Sequence, residues 1–333
     1  MKVVHVREVA NVAQGLLLGL QELGHQAELL KPRESTEPRV ARKLLLAPQR
    51  IADALEINRH IRHRGFDIVH LHYANSGWMG TLGRYRFVLH CHGSDVRANL
   101  YHPMHKWLVR YSLKRADLVM FSTPDLYPHI ARIRPDATFL PNPIDTRGFA
   151  DNQAETLGGV RVLINLALNP SKAPQIAFEA AREIKRRCPD VEICAIASGP
   201  LYSSFQRYRG VRFLDPVPHA EMAQLINSYD VVLGQFLIGS LGMSELESMA
   251  CAKPVVCYLD TDLYSRWYGE APPVVSASTA DAAAQSAIKL IQDPLWRQDL
   301  GRRGREWVVR HHDYRTVAAQ MVDHYHGMLV EAR

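Results

Sequence analysis

The sequence predicts an α/β protein built from two open parallel sheets in tandem. Three observations carry that expectation. Short apolar segments alternate with amphipathic ones along most of the 333 residues, as strands and their covering helices do in a parallel sheet. The length suits two domains of about 150–165 residues. The alternation pauses once, over a polar, glycine-containing stretch at residues 146–159, and then restarts.

The elements follow in order. Residues 3–6 are all apolar but His5 and read as a buried strand. A helix runs from Asn11 to about Leu23, and Gly24 ends it. Strands are expected at residues 26–30, 67–72 and 86–92. A helix at 104–115 leads into a strand at 118–121, and Phe139-Leu140 enters the turn Pro141-Asn142-Pro143. After the pause, strands at 160–166, 191–197, 211–214, 231–233 and 254–257 alternate with helices at 174–187, 221–229 and 243–251. From Thr279 onward the chain reads as helices alone. Ligands of such folds bind outside the carboxyl ends of the strands. With two such domains, the expected site is the cleft they form together.

Composition excludes several classes. Hydrophobic residues make up 47% and charged residues 22% of the chain, as in soluble globular proteins. No apolar run approaches the ~18 residues that span a bilayer, and the N-terminus lacks a signal-peptide core. A cytoplasmic protein is therefore expected. The five cysteines, Cys91, Cys188, Cys194, Cys251 and Cys257, make no C-x-x-C pair and read as buried thiols. The net charge of +6 divides unevenly. Residues 1–150 carry 21 Lys/Arg against 13 Asp/Glu (+8), and the rest carry 19 against 21 (−2). The basic excess concentrates at residues 31–64, which suits either a solvated helical face or an anionic membrane surface. No nucleic-acid recognition motif accompanies it.

The segment from Gly239 to Val256 carries the most chemistry. A loop of small residues (Gly239, Ser240, Leu241, Gly242) opens a helix at Met243 and Ser244. Amides at a helix start bind anions. Glu247, one turn inside, suits the diol of a ribose; it also suits a solvent-facing position. His70 and His72 alternate on one strand and His90 and His92 on another. Two H-x-H pairs suggest either a metal site or histidines lining a polar cleft. No carboxylate accompanies them in sequence, which favours the cleft. The first strand–helix loop, Arg7-Glu8-Val9-Ala10-Asn11, lacks a G-x-G-x-x-G signature. Asn11 reads either as a helix N-cap or as an acceptor contact.

Five segments in order now resemble one family. They are His90-Cys91-His92-Gly93-Ser94-Asp95, Leu140-Pro141-Asn142-Pro143-Ile144-Asp145, Asp230-Val231-Val232-Leu233, the run from Leu246 to Val256, and the run from Asp293 to Val308. Together they resemble the family-4 retaining glycosyltransferases. That resemblance implies the GT-B fold: an acceptor domain at residues 1–150, a nucleotide-sugar donor domain at 151–313, and a terminal helix at 314–333 crossing back to the first domain. It implies sugar transfer with retention and no obligatory metal, with the leaving phosphate taking the acceptor's proton. By the same resemblance His92 contacts the donor sugar and Lys172 the diphosphate. Val217, Ser240, Leu241, Gly242, Met243, Ser244 and Glu247 complete the donor site, and Asn11 and Asp95 face the acceptor. Two positions depart from the family. Gly239 stands where its first motif glutamate belongs, and Leu166 where it has an arginine; Arg207 or Arg209 is a candidate replacement. These losses motivate one rival, a degenerate nucleotide- or partner-binding protein; a second rival is a UDP-sugar epimerase with Asp95 as its acid/base.

Overall fold

The computed structural model describes residues 1–33, 47–152 and 159–330. The chain divides into two compact units, residues 1–143 with 314–333, and residues 144–313.

In the first unit, β1 (Lys2–Val6), β2 (Gln26–Leu30), β3 (Ile68–His72), β4 (Val88–Cys91), β5 (Leu118–Phe121) and β6 (Thr138–Phe139) form one parallel sheet in the order β2-β1-β3-β4-β5-β6. The central strands are apolar on both faces because helices cover both: Val3, Val4, Ile68, Leu71, Val88 and Leu89 are fully buried. The connecting helices are α1 (Val12–Glu22), α2 (Ala47–Arg64), α3 (Gly77–Gly83), α4 (Ser94–Arg97), α5 (Lys106–Arg115) and α6 (Tyr127–Ile130). Gly24 ends the first helical segment as expected, at φ 78°.

The second unit repeats the plan. Its strands β7 (Arg161–Ile164), β8 (Glu192–Ile196), β9 (Arg212–Leu214), β10 (Val231–Leu233), β11 (Val255–Cys257) and β12 (Val275–Ser276) order as β12-β11-β10-β7-β8-β9, again parallel. Helices α7 (Pro174–Arg187), α8 (Tyr202–Phe205), α9 (His219–Asn227), α10 (Met243–Ala250), α11 (Thr261–Tyr268), α12 (Ala280–Gln292) and α13 (Pro294–His312) accompany them. Two cores form on the faces of this sheet, one around Phe178, Ile184 and Ala283, the other around Met249, Tyr264 and Trp307.

The last helix, α14 (Tyr314–Val330), belongs to the first unit. It packs so closely on α1 that a Cβ on Gly19 would meet Ala318 Cβ at 2.4 Å. Tyr314 Oη donates to Glu22 at 2.6 Å. The first boundary differs from the expected 150, since residues 144–150 go with the second unit. The Ile144 amide donates to the His312 carbonyl at 2.6 Å. Arg305 on α13 donates to the carbonyls of Phe149 (2.7 Å) and Thr146 (3.1 Å). A guanidinium holding two otherwise unpaired carbonyls fixes that segment. Part of the basic stretch, residues 34–46, lies outside the described residues.

Candidate functional site

In the second unit the donor candidates gather at the carboxyl ends of β7 and β10. Asn169 caps the short turn Pro170–Lys172 through its side chain, which accepts from the Ser171 amide at 3.0 Å. The Lys172 carbonyl then accepts from the Phe236 amide at 3.0 Å, tying the turn to the segment after β10. This places the Lys172 ammonium at the start of α10: a Cβ built on Gly242 would stand 3.2 Å from Nζ. A cation and a helix N-terminus on one spot favour a polyanion.

Only some of the expected amides remain open to a ligand. The Leu241 amide donates to Tyr264 Oη (2.8 Å), and the Gly242 amide donates to Glu245 Oε2 (2.8 Å). Both were expected to face the diphosphate; both are engaged inside the unit. Among the described residues the amides of Met243 and Ser244 have no acceptor, as the first turn of a helix leaves them, and both residues are half-buried. Ser240 is buried, with its Oγ unpartnered. Glu247 is buried on α10, and its Oε1 lies 2.8 Å from His219 Nε2. Burial raises the Glu247 pKa, and the His219 contact opposes that rise. Val217 is half-buried in the loop between β9 and α9.

Two residues shaping this loop carry no motif. Gln235 is fully buried; its Nε2 donates to the carbonyls of Ser240 and Tyr258, and its Oε1 accepts the amides of Leu237 and Ile238. Glu245 accepts the Gln235 amide at 2.9 Å besides that of Gly242. A buried polar pair satisfied this fully fixes one loop conformation. The glutamate three residues after Gly242 was the available sequence signal, as the acidic half of a capping box.

The departures have structural causes. Gly239 has φ +72°, and a Cβ there would lie 3.1 Å from Tyr258. The backbone turns left-handed where the family's glutamate would stand. Leu166 is buried in the core, so an arginine there would be a buried charge. Arg207 and Arg209 are exposed and make no hydrogen bond or ion pair among the described residues.

In the first unit, strand register brings five histidines together. His5 pairs with His70, and His72 with His90. His92 follows at the end of β4. His5, His70, His72 and His90 are fully buried and His92 is half-buried. The expected polar cleft lining is thus mostly an interior cluster. His5 Nδ1 lies 2.9 Å from His72 Nε2, and His72 Nδ1 lies 2.8 Å from His92 Nε2. His70 bridges His90 (3.2 Å) and Tyr325 Oη on α14 (2.6 Å). Burial pushes the His5 and His92 pKa values down to about 3, and those of His70, His72 and His90 well below the usual range. All five are neutral near pH 7, each with one donor and one acceptor nitrogen. The chain from His5 through His72 therefore couples the tautomer of His92 to those of His72 and His5, and His92 Nδ1 has no partner among the described residues.

Two triads, His5/His70/His72 and His72/His90/His92, hold ligand atoms within 4.8 Å of one another. Tetrahedral zinc with bonds of about 2.05 Å spaces its nitrogens about 3.3 Å apart. The observed contacts of 2.8 and 2.9 Å are shorter and are hydrogen bonds between rings.

The acceptor candidates change role. Asp95 is fully buried, and its carboxylate accepts the amides of Ala74, His92, Gly93 and Val96 at 2.7–3.2 Å. It pins the turn after β4 and has no face for an acceptor or for epimerase chemistry. Asn11 sits at φ 65° and makes no side-chain cap. Glu8 caps α1 instead, accepting the amides of Val9, Ala13 and Gln14 at 2.7–3.2 Å.

A model described as Glycosyltransferase Family 4 matches residues 9–147, and one described as Glycosyl transferase-like matches residues 174–323. A GDP-mannose-dependent alpha-(1-6)-phosphatidylinositol monomannoside mannosyltransferase of Mycolicibacterium smegmatis is 26% identical, over 72% of this chain and 70% of its own. A D-inositol 3-phosphate glycosyltransferase of Kribbella flavida is 25% identical, over 74% and 68%. A crystal structure of Anabaena HepE in complex with UDP-glucose superposes with a TM-score of 0.75 at 15% identity, covering 98% of this chain and 100% of that one. With two six-stranded parallel sheets and these matches in tandem, the chain belongs to the family-4-like group 1 glycosyltransferases of the GT-B fold.

Proposed function

We propose that the protein transfers a sugar from a nucleotide-sugar donor to an acceptor with retention at the anomeric carbon, its second unit holding the donor and its first the acceptor. The observation that carries this is the grouping at α10: the Lys172 ammonium beside Gly242, the open amides of Met243 and Ser244, and the buried Glu247 carboxylate. Lys172 and the two amides stabilise charge that grows on the leaving diphosphate. Glu247 accepts from the ribose diol. The bond from the anomeric carbon to the phosphate oxygen breaks as the acceptor oxygen bonds that carbon, and the acceptor's proton passes to the phosphate. His92, neutral and held by His72, takes the sugar contact. No protein metal is required in this scheme.

The names of the relatives make GDP-mannose the first donor to test and inositol-bearing lipids or phosphates the first acceptors. The HepE complex adds UDP-glucose to the donor panel. No helix among the described residues is long and apolar enough to cross a membrane. A cytoplasmic protein touching an anionic membrane through its basic first unit belongs to the same reading. The experiment is to incubate the protein with each donor and acceptor and resolve the product by NMR. An α-linked product from an α-donor, with release of the diphosphate, is expected. An inverted product, or epimerised sugar formed without acceptor, overturns the proposal.

A further inference from the structure

The loop that joins β10 to α10, residues 234–242, contains no charged residue. Its two polar side chains, Gln235 and Ser240, are both buried. Gly239 stands where the family's glutamate would supply a carboxylate. What the loop presents outward is Leu237, 57% exposed, with Ile238 half-buried beside it. Among the described residues of the second unit, Leu295 and Val309 are the other large apolar side chains left exposed, and both lie on α13. Leu237 instead stands beyond the carboxyl end of a central strand, where ligands of such sheets bind.

The exposure is built in. Gln235 Oε1 accepts the amides of Leu237 (2.9 Å) and Ile238 (2.7 Å), which turns the leucine away from the core. On one side the Phe236 amide donates to the Lys172 carbonyl at 3.0 Å. On the other, the Tyr258 amide donates to the Gln235 carbonyl (2.8 Å) and the Asp260 amide to the Gly239 carbonyl (3.0 Å). The loop is therefore tied to both neighbouring segments and holds one conformation. The amides of Phe236, Leu237 and Ile238 are all engaged, so this stretch offers a ligand no backbone donor.

We infer that the donor sugar is a 6-deoxyhexose and that Leu237, with Ile238, selects it; this rests on the donor reading given above. A nucleotide sugar carries its ribose at one end of the diphosphate and the transferred sugar at the other. With the diphosphate on Lys172 and the amides of Met243 and Ser244, and the ribose on Glu247 one turn further into α10, the transferred sugar lies on the side where the loop enters the helix. A hydroxyl set against Leu237 loses water and gains no partner. An apolar group set there gains contact. Of the sugar carbons, C6 is the one that becomes a methyl when its hydroxyl is absent, and a methyl is the group a leucine packs against.

The test is calorimetric binding of matched donors to the full chain, which needs no acceptor. The pairs are GDP-mannose with GDP-6-deoxymannose and UDP-glucose with UDP-6-deoxyglucose, beside GDP and UDP alone. For the base that binds, the 6-deoxy member is expected to bind about tenfold more tightly than its hydroxylated parent. Leu237→Ser brings the two members within about twofold of each other, and Leu237→Met keeps the preference. Both variants bind the diphosphate alone as the wild type does. The side chain is exposed, so melting temperatures stay at the wild-type value. Equal or weaker binding of the 6-deoxy member, or a preference that survives Leu237→Ser, overturns this inference while the bound diphosphate leaves the donor site standing. No binding of either diphosphate overturns the donor reading, and this inference with it.

Discussion

Glu247 Oε1 and His219 Nε2 stand 2.8 Å apart, one buried on α10 and the other half-exposed at the start of α9. The contact occupies the carboxylate to which we assign the ribose. Burial raises the Glu247 pKa, and His219 lowers it. A protonated carboxyl cannot accept from both ribose hydroxyls, so donor affinity falls as pH drops through that raised value.

His219→Ala removes the opposing contact. The acid-side loss of donor affinity then moves to higher pH, read as Kd for the donor diphosphate against pH. An unmoved profile would show that Glu247 does not govern the loss.

The buried histidines make the first unit acid-sensitive. His5 and His92 have folded pKa values of about 3 against an ordinary 6.5. The native state therefore binds fewer protons than the unfolded chain below pH 6.5, and stability falls as pH drops through the window from 6.5 toward 3. Between pH 7 and pH 5 each contributes a loss of about 2 kcal/mol. Calorimetry of the first unit's transition should show a fall of about 10 °C over that range. A flat profile would mean that the cluster opens to water.

The His72–His92 contact of 2.8 Å makes His72 a positioning residue. His72→Phe keeps an aromatic ring at the position but removes the hydrogen bonds to His5 and His92 and uncouples their tautomers. We expect kcat to fall about 10- to 100-fold with donor KM within threefold. A KM-led loss would place the pair in donor binding instead.

Gly239 adopts a left-handed backbone, and a Cβ built there would lie 3.1 Å from Tyr258. Gly239→Glu, which restores the family's residue type, should cost about 1–2 kcal/mol of stability and leave donor KM unimproved, as denaturant unfolding and kinetics together will show. A gain in affinity would mean that the loop relaxes to admit the side chain.

Much of this architecture was legible from local pattern. The strands at β1, β3 and β4 are apolar runs interrupted by histidines, β10 is wholly apolar, and α10 follows a run of small residues that announces it. The mixed charge of α2 hid a helix of 18 residues, because its apolar stripe is thin. β12 has two residues and no signal of its own. At the site, residue types were readable and their partners were not. Leu241 and Gly242 lose their amides to Tyr264 and Glu245, Asp95 is spent on four backbone amides, and Glu8 rather than Asn11 caps α1. Each of these depends on where a side chain turns after folding. The boundary moved from 150 to 143 for the same reason, through the long reach of Arg305.

The most direct test of the central claim is calorimetric titration of GDP and UDP into the wild type and Glu247→Ala. The account predicts that the wild type binds at least one of the two diphosphates. Glu247→Ala should bind it at least tenfold more weakly, the loss of a charged hydrogen-bond acceptor, with its melting temperature unchanged without ligand. Equal affinity in the two proteins, or no binding of either diphosphate to the wild type, would contradict the placement of the donor at α10.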